Sequence, residues 1–176
     1  TDPQGAVQVT KQKYGGSNVL RVKVTGAAGV PLTNVGAVSL NVTAVDPDGP
    51  GFVTVFPCGE RPLAANLNYV RGQIVPNAVI APVSASGEVC FFSLAETHLI
   101  ADVNGWFATG AGFNAVSPLR VFDTRPTDPQ GAVQVAQMKY GGGNILRVKV
   151  AGAAGVPLAN VGAVSLNVTA VDPDGP

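Results

Sequence analysis

The sequence predicts an all-β fold, an antiparallel β-sandwich repeat unit with a barrel-like closure as its alternative. Three observations carry that expectation. Apolar residues alternate with polar ones at period two in several short runs, 22 Gly and 14 Pro punctuate the intervals, and no stretch sustains a helical period.

The elements follow in order. Leu20, Val22 and Val24 alternate with Arg21 and Lys23, which predicts a half-buried strand. Val38, Leu40, Val42 and Ala44 alternate with Ser39, Asn41 and Thr43 in the same way. Asp46-Pro-Asp-Gly-Pro50 has strong turn chemistry, and residues 52–56 return from it as the next strand, so the two strands are expected to form a hairpin-like pair. Further strands are expected over residues 67–70, 74–83, 89–93 and 98–107, punctuated by Gly72, Pro76, Ser86-Gly87 and Gly105. Strands at this spacing, joined by Gly/Pro turns, favour two packed antiparallel sheets.

Self-similarity sets the organisation. Residues 127–176 align on residues 1–50 without a gap, an offset of 126, and differ only at Thr10/Ala136, Lys11/Gln137, Gln12/Met138, Ser17/Gly143, Val19/Ile145, Thr25/Ala151 and Thr33/Ala159. A fixed period marks a repeat architecture, and a duplication this close is expected of a window on a longer array. Residues 108–116 are small, Gly-rich and uncharged, the composition of a linker. The expected division is therefore a sandwich over 1–107 that lacks its opening strand, a linker over 108–116, and the start of the next repeat over 117–176. That repeat opens with the strand-like run Leu119-Arg-Val-Phe-Asp-Thr-Arg125. In the alternative frame, 51–176 forms one complete permuted domain and 1–50 completes a neighbour, so that successive units interlock by strand donation or exchange.

Composition limits the partners. One period carries eight basic and eight acidic residues, which leaves no net field to attract nucleic acid or an anionic membrane. No apolar run is long enough to span a bilayer, and any export signal is expected upstream. Cys58 and Cys90 lie in apolar strand-like runs 32 residues apart, and low charge together with repeats suggests an extracellular chain, so a disulfide between neighbouring strands is expected. Two cysteines and one distant histidine do not make a zinc spacing, and no cofactor is expected.

The series Leu119-Arg-Val-Phe-Asp-Thr-Arg125, Val24-Thr-Gly-Ala-Ala-Gly-Val-Pro31, Val38-Ser-Leu-Asn-Val-Thr43, Asn66-Leu-Asn-Tyr69 and Thr97-His-Leu-Ile-Ala-Asp-Val-Asn-Gly-Trp-Phe107 resembles the tandem β-rich repeats of secreted and cell-surface bacterial proteins, actinobacterial ones especially. The resemblance covers nearly the whole period. It implies export and a stalk, filament or attachment role, with neighbouring copies of the chain as partners, and it supplies no catalytic residue.

Candidate sites are few. His98 alternates onto one strand face with Ile100, Asp102, Asn104 and Trp106, but no nucleophile accompanies it, so no enzymatic activity is expected. Asp102 is expected to pair with Arg120 or Arg125. Trp106, Tyr69, Asn66 and Asn68 offer the aromatic and amide groups of a glycan platform, so a cell-wall or surface glycan is the alternative partner and an adhesive module the alternative function. Asp46 and Asp48 resemble a fragment of a calcium loop whose remaining ligands are missing. Lys13, Lys23 and Asn41 are candidates for an isopeptide bond, and the sequons at Asn41 and Asn167 lie mid-strand, as ladder residues would.

Overall fold

The computed structural model describes residues 5–141 and 143–174. By its contacts the chain divides into two compact units, residues 1–118 and 119–176. Among the described residues seven strands form, all in the first: β1 (Leu20–Lys23), β2 (Val35–Val45), β3 (Gly51–Pro57), β4 (Leu67–Tyr69), β5 (Ile74–Pro82), β6 (Glu88–Ser93) and β7 (His98–Ala108). They make two antiparallel sheets, ordered β1-β6-β3-β4 and β5-β2-β7, that do not close into a barrel, an arrangement consistent with a sandwich.

The alternation read from the sequence is what packs the sheets. Val38, Leu40, Val42 and Ala44 of β2 and Val79 and Ala81 of β5 meet Val53 and Val55 of β3, Leu67 and Tyr69 of β4 and Val89 and Phe91 of β6 in one buried cluster. β2 lies between β5 and β7, pairing Leu40 with Val79 on one side and with Val103 on the other. Among the described residues it is the only neighbour that either of those strands has in their sheet.

β3 departs from simple alternation, because Val53, Thr54, Val55 and Phe56 are all buried. Its second face is covered by a separate cluster of Phe52, Phe56, Phe92, Cys58 and Cys90. The Arg61 guanidinium lies 4.1 Å from the centre of the Phe92 ring. The loop after Cys58 turns back over the strand: Thr54 Oγ1 donates to Ala64 O at 2.6 Å, and Asn66 Oδ1 accepts from Val55 N at 2.7 Å. Cys58 and Cys90 are joined in a disulfide, with their Cα atoms 4.9 Å apart. It links the end of β3 to β6 beside the Phe56–Cys90 pair.

Two expectations are corrected. β2 and β3 do not form a hairpin, because β2 pairs with β5 and β7 whereas β3 pairs with β4 and β6. The Asp46–Pro50 turn is instead a crossover between sheets. Asp46 adopts the left-handed conformation with φ at 50°, its N–H donates to Gln73 O, and Asp48 N–H donates to Glu96 O. Those bonds to other segments aim the chain out of its first sheet. The run 119–125 forms no strand either. It has no sheet to join, and its pairing stops at two bonds, Ala132 N–H to Arg120 O and Val133 N–H to Val121 O.

No strand is found among the described residues of the second unit, although residues 161–171 repeat β2 letter for letter. Leu40 is 1% exposed and its copy Leu166 is 50% exposed. Truncating a buried Leu to Ala costs about 2–5 kcal/mol, and a solvent-facing one within about 0.5 kcal/mol of nothing. Leu40→Ala is therefore expected to lower the denaturant midpoint of the first unit sharply, and Leu166→Ala to leave it in place. Opening the 32-residue Cys58–Cys90 loop with Cys58→Ser/Cys90→Ser is expected to cost about 3–4 kcal/mol in the same measurement.

Candidate functional site

The second copy keeps the local conformation of the first. Gly26 N–H donates to Val30 O and Pro31 O, and Gly152 N–H repeats both bonds to Val156 O and Pro157 O. The left-handed residues recur at matching positions: Ala28 and Ala154 at φ 50°, Asn34 and Asn160 at 59° and 60°, Asp46 and Asp172 at 50°. Lys13 Nζ bridges Asp46 (3.0 Å) and Asp48 (2.6 Å), and Lys139 Nζ bridges Asp172 (3.3 Å) and Asp174 (2.6 Å). Tyr14 and Tyr140 each donate to the carbonyl four residues before them. The turn and tyrosine bonds are local and the lysine bridges span 33–35 residues, but all of them lie within one copy of the segment.

The environment of the two copies differs. Val38, Leu40 and Val42 are sealed in the core at 0–1% exposure, whereas Val164, Leu166 and Val168 are 37%, 50% and 76% exposed. Ile145, beside the β1-equivalent run, is 77% exposed. An apolar strand face of this kind, carried on preformed turns, is the feature of the molecule best suited to contact another protein surface. Sequence alignment locates the copy, but its exposure depends on which segment takes the place between β5 and β7.

The acid–base residues separate from the expected arrangement. Asp123 rather than Asp102 is the partner of both arginines. Its Oδ1 accepts from Arg125 N and Nε, each at 3.0 Å, and its Oδ2 accepts from Arg125 Nη2 at 2.7 Å and from Arg120 Nη1. Asp128 adds a second carboxylate to Arg125 at 3.1 Å. The Asp-x-Arg spacing inside one motif was the available signal, because it brings the fork of Arg125 onto its own neighbour. Asp102 lies exposed on β7, opposite Asn41.

The expected shared face on β7 is broken by a β-bulge. His98, Ile100 and Asp102 stand opposite Val45, Thr43 and Asn41. Between Leu40 and Ser39 the partner steps from Val103 to Gly105, so Asn104 is the extra residue. A one-residue slip exchanges the faces of a strand. Trp106 is consequently opposite the core residue Val38 and does not share a face with His98 and Asp102.

The glycan platform is not assembled. Tyr69 is 4% exposed, and its hydroxyl is engaged with Ser93 Oγ, Ala95 O and Ala95 N. Its ring covers Gly51, where an added Cβ would come within 2.7 Å of the tyrosine oxygen. Asn66 accepts from Val55 N and, through its carbonyl, from Asn77 Nδ2. Asn68 is exposed on β4 at the margin of the four-stranded sheet, and Trp106 belongs to β7 in the other sheet.

Three smaller candidates have structural partners. Lys13 occupies the Asp46–Asp48 turn, and those two carboxylates are part of no group of three or more metal-ligating side chains among the described residues. The hydrogen bond from Lys13 holds the Asp48 carboxyl below its ordinary pKa. Lys23 Nζ donates to Ser86 O, and a recess of about 220 Å³ beside the disulfide is lined by Val19, Arg21, Phe56, Gly59, Arg61 and Cys90. Comparisons with protein-family models, curated proteins and solved structures return no match.

The hydrogen bonds of Arg125 pull the Asp123 carboxyl down to about 2. A carboxyl depressed in this way stabilises its surroundings above its unfolded pKa of about 3.9, and that contribution is lost as pH falls through the folded value. In an NMR titration Asp123 is expected to protonate near pH 2, and Arg125→Ala to move the midpoint up toward 4.

Proposed function

We propose that this chain is an extracellular structural repeat, an all-β sandwich unit that builds a stalk or filament through contacts between near-identical copies. The reading rests chiefly on one observation: the segment that supplies β1 and the central strand β2 recurs 126 residues later with the same turns, and its apolar residues face solvent. Each copy of the segment meets surfaces of nearly the same sequence, which is the condition for repeating contacts.

The Cys58–Cys90 disulfide is compatible with an oxidising, extracellular setting, and no helix among the described residues is long and apolar enough to cross a membrane. The role requires no catalytic group. His98 is exposed on β7, opposite Val45. A glycan-binding array has less support, since Tyr69 is buried and the remaining platform residues lie on different sheets.

Light scattering of the 176-residue chain, with electron microscopy of longer tandem forms, tests the reading. Concentration-dependent association and regular fibres of strongly contacting units are expected. A monomer at every concentration, with flexibly spaced beads in the longer forms, would point to a tethered array and make a glycan screen the next experiment.

A further inference from the structure

We propose that residues 127–174 act as a donor segment, seating residues 161–171 between β5 and β7 of a second copy of this chain in place of that copy's own β2. The inference rests on the structural-repeat reading and specifies the contact through which copies join.

Three observations carry it. First, residues 161–171 and β2 have the same sequence, Val-Gly-Ala-Val-Ser-Leu-Asn-Val-Thr-Ala-Val, so every side-chain contact and every ladder bond that β2 makes with β5 and β7 is available to the copy without repacking. Second, the turns that frame this strand are already formed in the second copy, including the Gly152 turn and the Lys139 bridge to Asp172 and Asp174. The flanking turns therefore dock preformed, which lowers the ordering cost, and residues 161–171 take up the strand on docking. Third, the β6-β3-β4 part of the receiving body stays connected when its own donor leaves, while β5 and β7 lose the partner they share. β6, β3 and β4 pair with one another without help from β1 or β2, and the Cys58–Cys90 bond staples β3 to β6. The slot between β5 and β7 is then the one place where an identical strand restores the missing sheet.

Mass action determines when exchange occurs. The second copy's own residues 5–50 are tethered to the same body and compete at an effective concentration in the millimolar range. Of the seven differences between donors, only Thr25/Ala151 falls on a buried position of the first unit. The two donors are close to equivalent, and the exchanged form grows with protein concentration. Refolding favours it further, because bodies capture donors from solution as they form.

The test uses two singly substituted chains, Ile100→Cys and Thr169→Cys, with the native disulfide intact. Thr43, the first-copy equivalent of Thr169, stands directly opposite Ile100, so donation brings the two new thiols together across chains. The chains are mixed, unfolded in denaturant, refolded over a range of concentrations and oxidised gently, and the disulfides are mapped by mass spectrometry. A single chain carrying Thr43→Cys and Ile100→Cys verifies that the pair closes in the native register. The expected result is a covalent dimer joined through 100–169, increasing with concentration. Adding Leu166→Asp to the Thr169→Cys chain is expected to reduce it by at least about tenfold, since a carboxylate would have to enter the core at the Leu40 position. Dimers that lack the 100–169 bond, or a bond indifferent to Leu166→Asp, overturn strand donation and leave the structural reading in place. Monomers at every concentration overturn both.

Discussion

The first unit depends on β2. Eleven residues long and the middle strand of its sheet, β2 supplies the sole ladder for β5 and β7, and its inward face, Val38, Leu40, Val42 and Ala44, is buried to within 1%. At about 25 cal/mol per Å² of apolar surface, four sealed aliphatic side chains on one strand contribute several kcal/mol, comparable with the whole net stability of a small domain. β1 comes from the same fifty residues and flanks β6 in the opposite sheet, so one contiguous segment completes both layers. The remaining strands, from Gly51 onward, provide the surface on which that segment lies.

The duplicated segment separates two contributions that are usually confounded. Turns persist in both copies because their causes are local: left-handed Ala, Asn and Asp residues and a glycine donating back across its own loop. Strands do not persist, because a strand's hydrogen bonds lie on other segments and its apolar face has value only when covered. Identical residues therefore form β2 in one setting and irregular backbone in the other. Strand propensity is the propensity to fit a partially buried surface, and here the surface is absent for one of the two copies.

This distinction also accounts for what could be read from the sequence. The positions of the seven strands were legible from period-two alternation and Gly/Pro punctuation, and the cysteine pairing followed from two thiols in neighbouring apolar runs. Strand partners were less so. The Asp46–Pro50 turn resembles a hairpin turn, and only the acceptors Gln73 O and Glu96 O, far away in sequence, redirect it as a crossover. The bulge at Asn104 leaves no compositional trace, yet it moves Trp106 off the face occupied by Asp102. The choice of Asp123 over Asp102 as arginine partner turns on backbone geometry within five residues, and buried Tyr69 reads in sequence like any aromatic available for stacking. In each case the missing information was a contact distant in sequence or a one-residue change of register.

The position of the disulfide has a mechanical consequence. Both strands of the donor segment lie outside the loop that Cys58 and Cys90 close, whereas β4, β5 and the connecting turns lie inside it. A chain under tension from its ends can draw out β1, β2, β3 and β7, all outside the loop, but the 31 residues enclosed by the bond cannot lengthen the tether. At about 3.4 Å per extended residue the bond withholds on the order of 100 Å of contour length per unit. The reach of the chain under load is thus set by the bond, and reduction would release the withheld length.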